Sequence, residues 1–423
     1  MNRRTLLRTL TAASAMAPLA FGSNRLTAAM VSMADTDGED FWLTVQQAYD
    51  VDRSIVNLNN GGVAPSPRTV MSAFHRYTEQ ANGAPAYELW RHQEPHVEHV
   101  RDDLAMMFGA SSEEIAITRN ASEALESVQL GLRLERGDEV VISDQDYPRM
   151  LTTWEQRARR DGIVIKKVKF ETPVKDPADV VRTYEQAITA RTKVLHCSHV
   201  VFLTGQILPV KDLCDLARKR GLFSIVDGAH AFNHIATSAT DVGCDAYGTS
   251  LHKWTSGPIG TGMLYVRKDR IKEIWPLMAA PESMDDNIRK FEEIGTHSAG
   301  MHNALSEAVQ FQRAIGIERK SARLRQLHRV WIDQMAAYDN VSFLTDLSND
   351  RNQCGVRLVS IMDMDHGKLS EWLLSRHHIF TVAIGHDQFK GLRVTPNVYT
   401  TINEMERFAR AMKIVAEDPG VVG

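Results

Sequence analysis

A chain of 423 residues exceeds what a single hydrophobic core usually organises, so two domains are expected, with ample sequence to bury a large interior. Its 49 basic and 53 acidic side chains leave a formal charge of -4, which gives a nucleic-acid partner no electrostatic support and makes a small-molecule substrate the default for a composition this ordinary. Cys197, Cys214, Cys244 and Cys354 have neither metal-like nor short paired spacing, so neither a metal centre nor a disulfide framework is expected.

The first residues read as an address. Asn2-Arg3-Arg4-Thr5-Leu6-Leu7-Arg8, followed by an uncharged, alanine-rich stretch from Thr9 to Phe21, resembles a twin-arginine signal peptide over residues 1–34, with cleavage near Ala29 or Ala34. The apolar stretch is too short to span a bilayer, so export to the periplasm or exterior is expected and a membrane span is not. Signals of that kind carry folded proteins, which suits an enzyme that acquires a cofactor in the cytoplasm before leaving.

An N-terminal arm over 35–67 carries the turn-rich run Leu58-Asn59-Asn60-Gly61-Gly62. From 68 to 316, apolar strands alternate with helical patterns. The strands are read at Ile115 to Thr118, Glu139 to Ser143, Ile163 to Phe170, Val194 to Ser198, Phe223 to Asp227, Ala246 to Ser250 and Met263 to Val266, with Leu213 to Arg220 as one amphipathic helix between them. That alternation predicts an α/β fold whose mostly parallel sheet is covered on both faces, with chemistry at the carboxyl ends of its strands: Thr118, Ser143, Ser198, Asp227 and Ser250.

After Gly316 the period changes. Leu324, Leu327, Trp331, Met335 and Tyr338 mark the packed face of a long helix. A small α+β C-terminal domain over 317–423 then reads as a strand at Val356 to Met362, a helix at Gly367 to Arg376, strands around Thr381 and Leu392, and a last helix from Ile402 to Ala416.

The densest chemistry lies in Ser250-Leu251-His252-Lys253-Trp254, which opens onto a glycine-rich turn from Gly257 to Gly262. A lysine there can form a Schiff base with an aldehyde cofactor and then move a proton as general acid and base, or it is a surface lysine after a strand. Asp227, ending an apolar run before Gly228-Ala229-His230, can hold a pyridine nitrogen protonated or can cap a helix beginning near Ala229. Asn120-Ala121-Ser122-Glu123 sits at a strand-to-helix junction that offers donors to a phosphate, with Ser122 equally readable as a plain N-cap. His230 and His234 are four apart, but no glutamate completes a metal motif, so they read as core or cofactor-shell histidines.

In this order, these segments together with Thr118-Arg119-Asn120-Ala121-Ser122-Glu123-Ala124-Leu125, Ser198-His199 with Thr204-Gly205, Gly295-Thr296 and Gly391-Leu392-Arg393-Val394-Thr395-Pro396 resemble the class V aminotransferase family of fold-type I pyridoxal-phosphate enzymes, in its isopenicillin N epimerase-like branch. The likeness covers nearly the whole chain after the leader. It implies pyridoxal 5′-phosphate as cofactor, Lys253 as its covalent anchor and Asp227 as its pyridinium partner. It adds Ala121, Ser122, Ser250 and His252 around the phosphate, Thr296 arriving from a second subunit of a homodimer, and His230 in the cofactor shell. Tyr147 falls where relatives place a ring over the pyridine, Arg393 where they fork the substrate carboxylate, and Asn60 belongs to a loop that lies over the substrate. Phe202 departs from the family, standing where many members carry asparagine near the cofactor hydroxyl.

The activity so implied is at the α-carbon of an amino acid or peptidyl amine, of aminotransferase or epimerase type. A C–S lyase or desulfurase stands as the alternative, although Cys354 introduces a strand and reads as inert. A cofactor-free binding protein on the same fold needs neither Asp227 nor Lys253. If the leader is an address, Arg3→Lys with Arg4→Lys leaves cofactor-bound precursor in the cytoplasm; unchanged periplasmic recovery on fractionation rejects the assignment.

Overall fold

A computed structural model describes residues 38–349 and 352–423, and the leader expected over 1–34 lies outside the described residues. Helix α1 (Glu39–Gln47) buries Phe41, Trp42 and Val45 and is followed by a two-residue strand, β1 (Val56–Asn57). The large sheet then takes β2 (Ile115–Thr118), β3 (Glu139–Ser143), β4 (Val164–Val168), β5 (Thr192–Ser198), β6 (Phe223–Asp227), β7 (Ala246–Ser250) and β8 (Gly262–Val266) in the spatial order β2-β8-β7-β6-β5-β3-β4. Only β8 runs antiparallel to its neighbours, so the expectation of a mostly parallel sheet agrees with the structure.

The apolar runs are continuous because both faces are covered. Along β2, Ile115 and Ile117 join one buried cluster while Ala116 joins the other; along β3, Val141 faces the first and Val140 and Ile142 the second. That is the two-residue period of a strand with a core on each side. Strand β4 is shorter than the expected Ile163 to Phe170 because it is an edge, where Val164 is exposed and nothing beyond it extends the pairing.

Two helices point their N-termini toward the strand ends. Helix α2 (Ala121–Gly131) follows β2 and is capped by Asn120, whose Oδ1 accepts the Glu123 N–H at 2.9 Å, so the cap lies two residues before the expected Ser122. Helix α3 (Pro148–Asp161) follows β3 directly after Tyr147. Beyond the sheet, α4 (Leu305–Ile315) leads into α5 (Ile317–Met335), whose Leu327, Trp331 and Met335 are fully buried, as the periodic stripe predicts. Tyr338 falls past the end of α5, only partly buried, with its hydroxyl donating to Glu417.

The C-terminal unit carries β9 (Val341–Phe343), β10 (Arg357–Ile361), α6 (His366–His377), β11 (Ile379–Phe380), β12 (Val382–Gly385), β13 (Lys390–Val394) and α7 (Ile402–Glu417). Its antiparallel sheet has the order β12-β13-β10-β9, and α5 packs on α7 through Trp331 and Phe408. The arm belongs to this unit by pairing: β1 runs parallel to β11, and Asn59 bridges to Thr395. Pairing across that distance in sequence carries no local signature, which is why the arm reads from sequence only as a turn-rich loop.

The two units meet closely at Gly205. Its φ of +76° is a left-handed conformation, and a Cβ there would stand 2.1 Å from the Val356 carbonyl oxygen. Gly205→Ala is therefore expected to destabilise the protein by on the order of 2–4 kcal/mol, read as a lowered thermal midpoint; a change under about 0.5 kcal/mol would mean that the junction is loose.

Candidate active site

The carboxyl ends of β5, β6 and β7, the N-termini of α2 and α3, and β12 and β13 of the smaller unit enclose a cavity of about 400 Å³. Into it face Lys253, Asp227, Ala121, Ser122, Tyr147, His230, Ser250, His252 and Arg393. The residues after β3, β6 and β7 meet because parallel strands end on the same edge of the sheet, and Arg393 is brought to them by the smaller unit.

Lys253 lies three residues past β7, and its amine is 3.2 Å from His230 Nε2. Burial, helped by the Arg393 charge and opposed by Asp227, lowers its pKa to about 8, so a useful fraction is free amine near neutrality. His230 is pressed well below the usual imidazole range by burial first and the Lys253 charge second, and is therefore neutral. Its Nδ1 is buried and unpartnered. Nothing in the turn from His230 to His234 is helical, and His234 faces away to Gly355, so the pair does not form a shared helix face.

Asp227 closes β6 with its carboxyl buried and its pKa raised by that burial. One oxygen accepts the Ala229 N–H at 2.9 Å, a local turn contact in place of the helix cap considered from sequence. Behind it lies a second buried acid that sequence reading did not single out. Asp146 accepts Ser198 Oγ at 2.6 Å and the Ser143 N–H at 2.9 Å, and burial, with the Asp227 charge adding, pushes it up to about 7.

At the other end of the cavity the Ala121 N–H donates to Ser250 Oγ at 2.9 Å, tying the α2 N-terminus to β7. Because a carbonyl only accepts, His252 carries a hydrogen on Nδ1 to bond Thr261 O at 3.1 Å, and its Nε2 donates to a phosphate when the ring is protonated there as well. A helix N-terminus, a hydroxyl pair and an imidazole make a site for a phosphate. Thr296 is elsewhere: it is exposed on the wall of a second cavity of about 350 Å³ with Trp90 and His302, and takes no part in the Lys253 cavity of its own chain.

Arg393 is 7% exposed, and no carboxylate contacts it among the described residues. Its guanidinium donates to Phe202 O and to Asn59 Oδ1, each at 2.9 Å, while Nε is buried with no acceptor; burial brings its pKa down to about 10. Asn60, expected over the substrate, is not in the cavity. Its amide donates to Asn57 O and Thr395 O, and its oxygen accepts Tyr399 OH at 2.6 Å, so every polar atom of the side chain is spent holding the arm. From the same loop Gly61 and Gly62 line the cavity, and Asn59 serves it at one remove through its bond to Arg393. Tyr147 and Phe202 meet edge to face at 5.3 Å, and with Val382 and Ile384 they form an apolar wall beside Arg393.

The buried amine, the buried carboxyl at a strand end and the phosphate-type donor set fit pyridoxal 5′-phosphate, with Lys253 placed to hold its aldehyde carbon, Asp227 its ring nitrogen, and Ala121, Ser122, Ser250 and His252 its phosphate. Fold and site thus define a fold-type I pyridoxal-phosphate enzyme. Residues 56–408 match the family model for aminotransferase class V, and the chain belongs to that family. It is 29% identical to isopenicillin N epimerase of Streptomyces clavuligerus, covering 88% of this chain and 97% of the relative, and 26% identical to a probable cysteine desulfurase of Methanothermobacter thermautotrophicus, covering 86% and 95%. A solved cysteine desulfurase of Escherichia coli superposes with a TM-score of 0.77 at 20% identity, covering 89% of this chain and 98% of that one.

Lys253 loses its proton as pH rises through its lowered pKa. In cofactor-free protein its acetylation by limiting acetic anhydride, followed by mass spectrometry, is expected to rise with a midpoint near 8. A midpoint at the ordinary lysine value of about 10.4 would mean that the amine is not buried as described. Lys253→Ala is expected to abolish the borohydride-reducible cofactor band while leaving the thermal midpoint within about 3 °C.

Proposed function

We propose that this chain uses pyridoxal 5′-phosphate to act at the α-carbon of an amino acid or peptidyl amine, by transamination or epimerisation, and that it is exported folded and works as a homodimer in which Thr296 completes the cavity of a second copy. One observation carries the reading: Lys253 and an unpaired, buried Arg393 share one cavity with Asp227. The cofactor, when bound, supplies an electrophilic carbon and an electron sink for charge at the substrate α-carbon.

The protein's own groups do the rest. Asp227 keeps a proton available at the ring nitrogen, since burial favours its protonated form and a pyridine nitrogen opposite it can share that proton. Lys253, with free amine available near neutral pH, takes and returns the α-proton, and His230 accepts a hydrogen bond from it in the intervals. Arg393 lines the cavity with no acidic partner among the described residues and takes the substrate carboxylate, which orients the α-hydrogen. The substrate side chain then lies along Phe202, Tyr147, Val382 and Ile384, a surface suited to apolar groups.

The desulfurase alternative is less well supported. It asks for an accessible thiolate, whereas all four cysteines are buried; Cys354 donates its thiol to Gly205 O at 3.3 Å, and burial raises its pKa.

Arg393→Ala separates readings of the substrate. Losing a bidentate, charge-assisted pair is expected to cost carboxylated substrates about 2 to 4 kcal/mol in kcat/KM and their decarboxylated amine analogues little. Equal losses on both would move the carboxylate fork out of the mechanism and favour a terminal amine on a larger molecule.

A further inference from the structure

We propose that Lys320, on α5 and outside the cavity, is a positioning residue for Lys253. The proposal rests on the reading of Lys253 as cofactor anchor and concerns what holds that lysine in place.

Lys320 is 1% exposed, and no carboxylate reaches it among the described residues. A buried ammonium without a counter-ion is costly, and lysine is almost never fully buried unless paired. Its Nζ instead donates to the carbonyl of Trp254, the residue after Lys253, and to Gln312 Oε1 at 2.9 Å. Gln312 in turn donates through Nε2 to the Thr255 carbonyl at 3.2 Å. Two consecutive carbonyls immediately after the anchor lysine are thus gripped from behind, by α4 and α5. A methionine would fill much the same volume without the desolvation penalty, so packing alone gives no reason for an amine here.

The other side of the same residue is held as firmly. The Trp254 ring stacks on His234 with centroids 3.5 Å apart and planes 11° from parallel. His234 Nε2 accepts the Gly355 N–H at 2.6 Å, which fixes the hydrogen on Nδ1, where it donates to His230 O, also at 2.6 Å. A Cβ on Gly355 would stand 2.8 Å from that Nε2, so the contact leaves no room to slide. The chain of contacts closes at His230 Nε2, 3.2 Å from the Lys253 amine. Lys320 therefore clamps one end of an arrangement whose other end touches the reacting nitrogen.

The charged and titratable groups facing Lys253 are Asp227, Arg393, His230 and His252. Releasing the Trp254 carbonyl lets the segment relax and water approach the amine, which moves the Lys253 midpoint upward toward that of an ordinary lysine.

The test uses Lys320→Met in the full chain, with Gln312→Met as a second variant that removes the tie to Thr255 while leaving Lys320 on Trp254. Two readouts are taken: the acetylation midpoint of Lys253 in cofactor-free protein, and the rate at which added pyridoxal 5′-phosphate becomes borohydride-reducible near pH 7. The expected result is a midpoint raised by about one pH unit and capture slowed about tenfold, the two linked because one unit is tenfold in free amine. The thermal midpoint is expected to stay within about 5 °C and other lysines to keep their midpoints, which separates positioning from general loosening. An unmoved midpoint and capture rate in a folded Lys320→Met protein overturn the proposal. Should that variant not fold, Lys320→Leu, which also removes the tie to the Trp254 carbonyl, is read in the same two ways, and an unmoved midpoint and capture rate there overturn the proposal. If borohydride instead fixes the cofactor to a lysine other than Lys253 in the wild type, the site reading itself fails, a different outcome from failure of the clamp.

Discussion

Two opposite charges drawn out of water at the ends of neighbouring strands set the terms for everything around them. Burial raises the Asp227 pKa and lowers that of Lys253, and their mutual attraction offsets only part of either penalty. Burial thus favours the neutral form of both groups, and Lys253, with its pKa brought down to about 8, can exchange a proton near neutral pH. A parallel sheet with a core on each face can hold such a pair because the strand ends are rigid and the surrounding cavity is walled by other elements.

The cavity is not made by the large sheet alone. Arg393 comes from β13, and its guanidinium is oriented by Phe202 of the large unit and Asn59 of the arm. The arm is in place because β1 pairs with β11 and because Asn60 bonds Thr395 and Tyr399 of the same unit. A substrate carboxylate at Arg393 would therefore bear on the junction between the two units, and any hinge between them would change the distance from Arg393 to Lys253. Gly205, pressed against the Val356 backbone, sits at that junction and limits how the two can move.

Most of the large sheet was legible because continuous apolar runs bounded by turns have few other interpretations in a chain of this size, and β2, β3, β6 and β7 begin and end where the pattern predicts. Lys253, Asp227, Ser250 and His252 were legible for a second reason: strand ends are read with the strands. What stayed hidden depends on long-range placement. Asn59 and Asn60 are adjacent and chemically identical, and only the bridge to Thr395 decides which one faces Arg393. Asp146 stands in an acidic, turn-like stretch that looks solvated, yet Ser198 and Ser143 draw it inward. Val382 and Ile384 carry no chemistry of their own and become part of the site only through the pairing of β12 with β13, which sets Val382 opposite Arg393. Lys320 looks like one more polar residue of an amphipathic helix until the Trp254 carbonyl is found against it.

Relatives with epimerase and desulfurase names share this frame at similar identity, so what separates their activities must lie in a handful of side chains set around a common cofactor site. In this chain those side chains lean one way. The thiols are all withdrawn into cores, where burial keeps them protonated and unreactive. In their place the wall beside Arg393 carries Phe202 edge-on against Tyr147, an apolar pair that contributes no thiol to the cavity. Beside Lys253 stand His230, 3.2 Å from its amine, and His252, which shares its cavity, and no cysteine lines that cavity among the described residues. The direction in which Arg393 faces that cavity is in turn set by Phe202 of the large unit and Asn59 of the arm, which both hold its guanidinium.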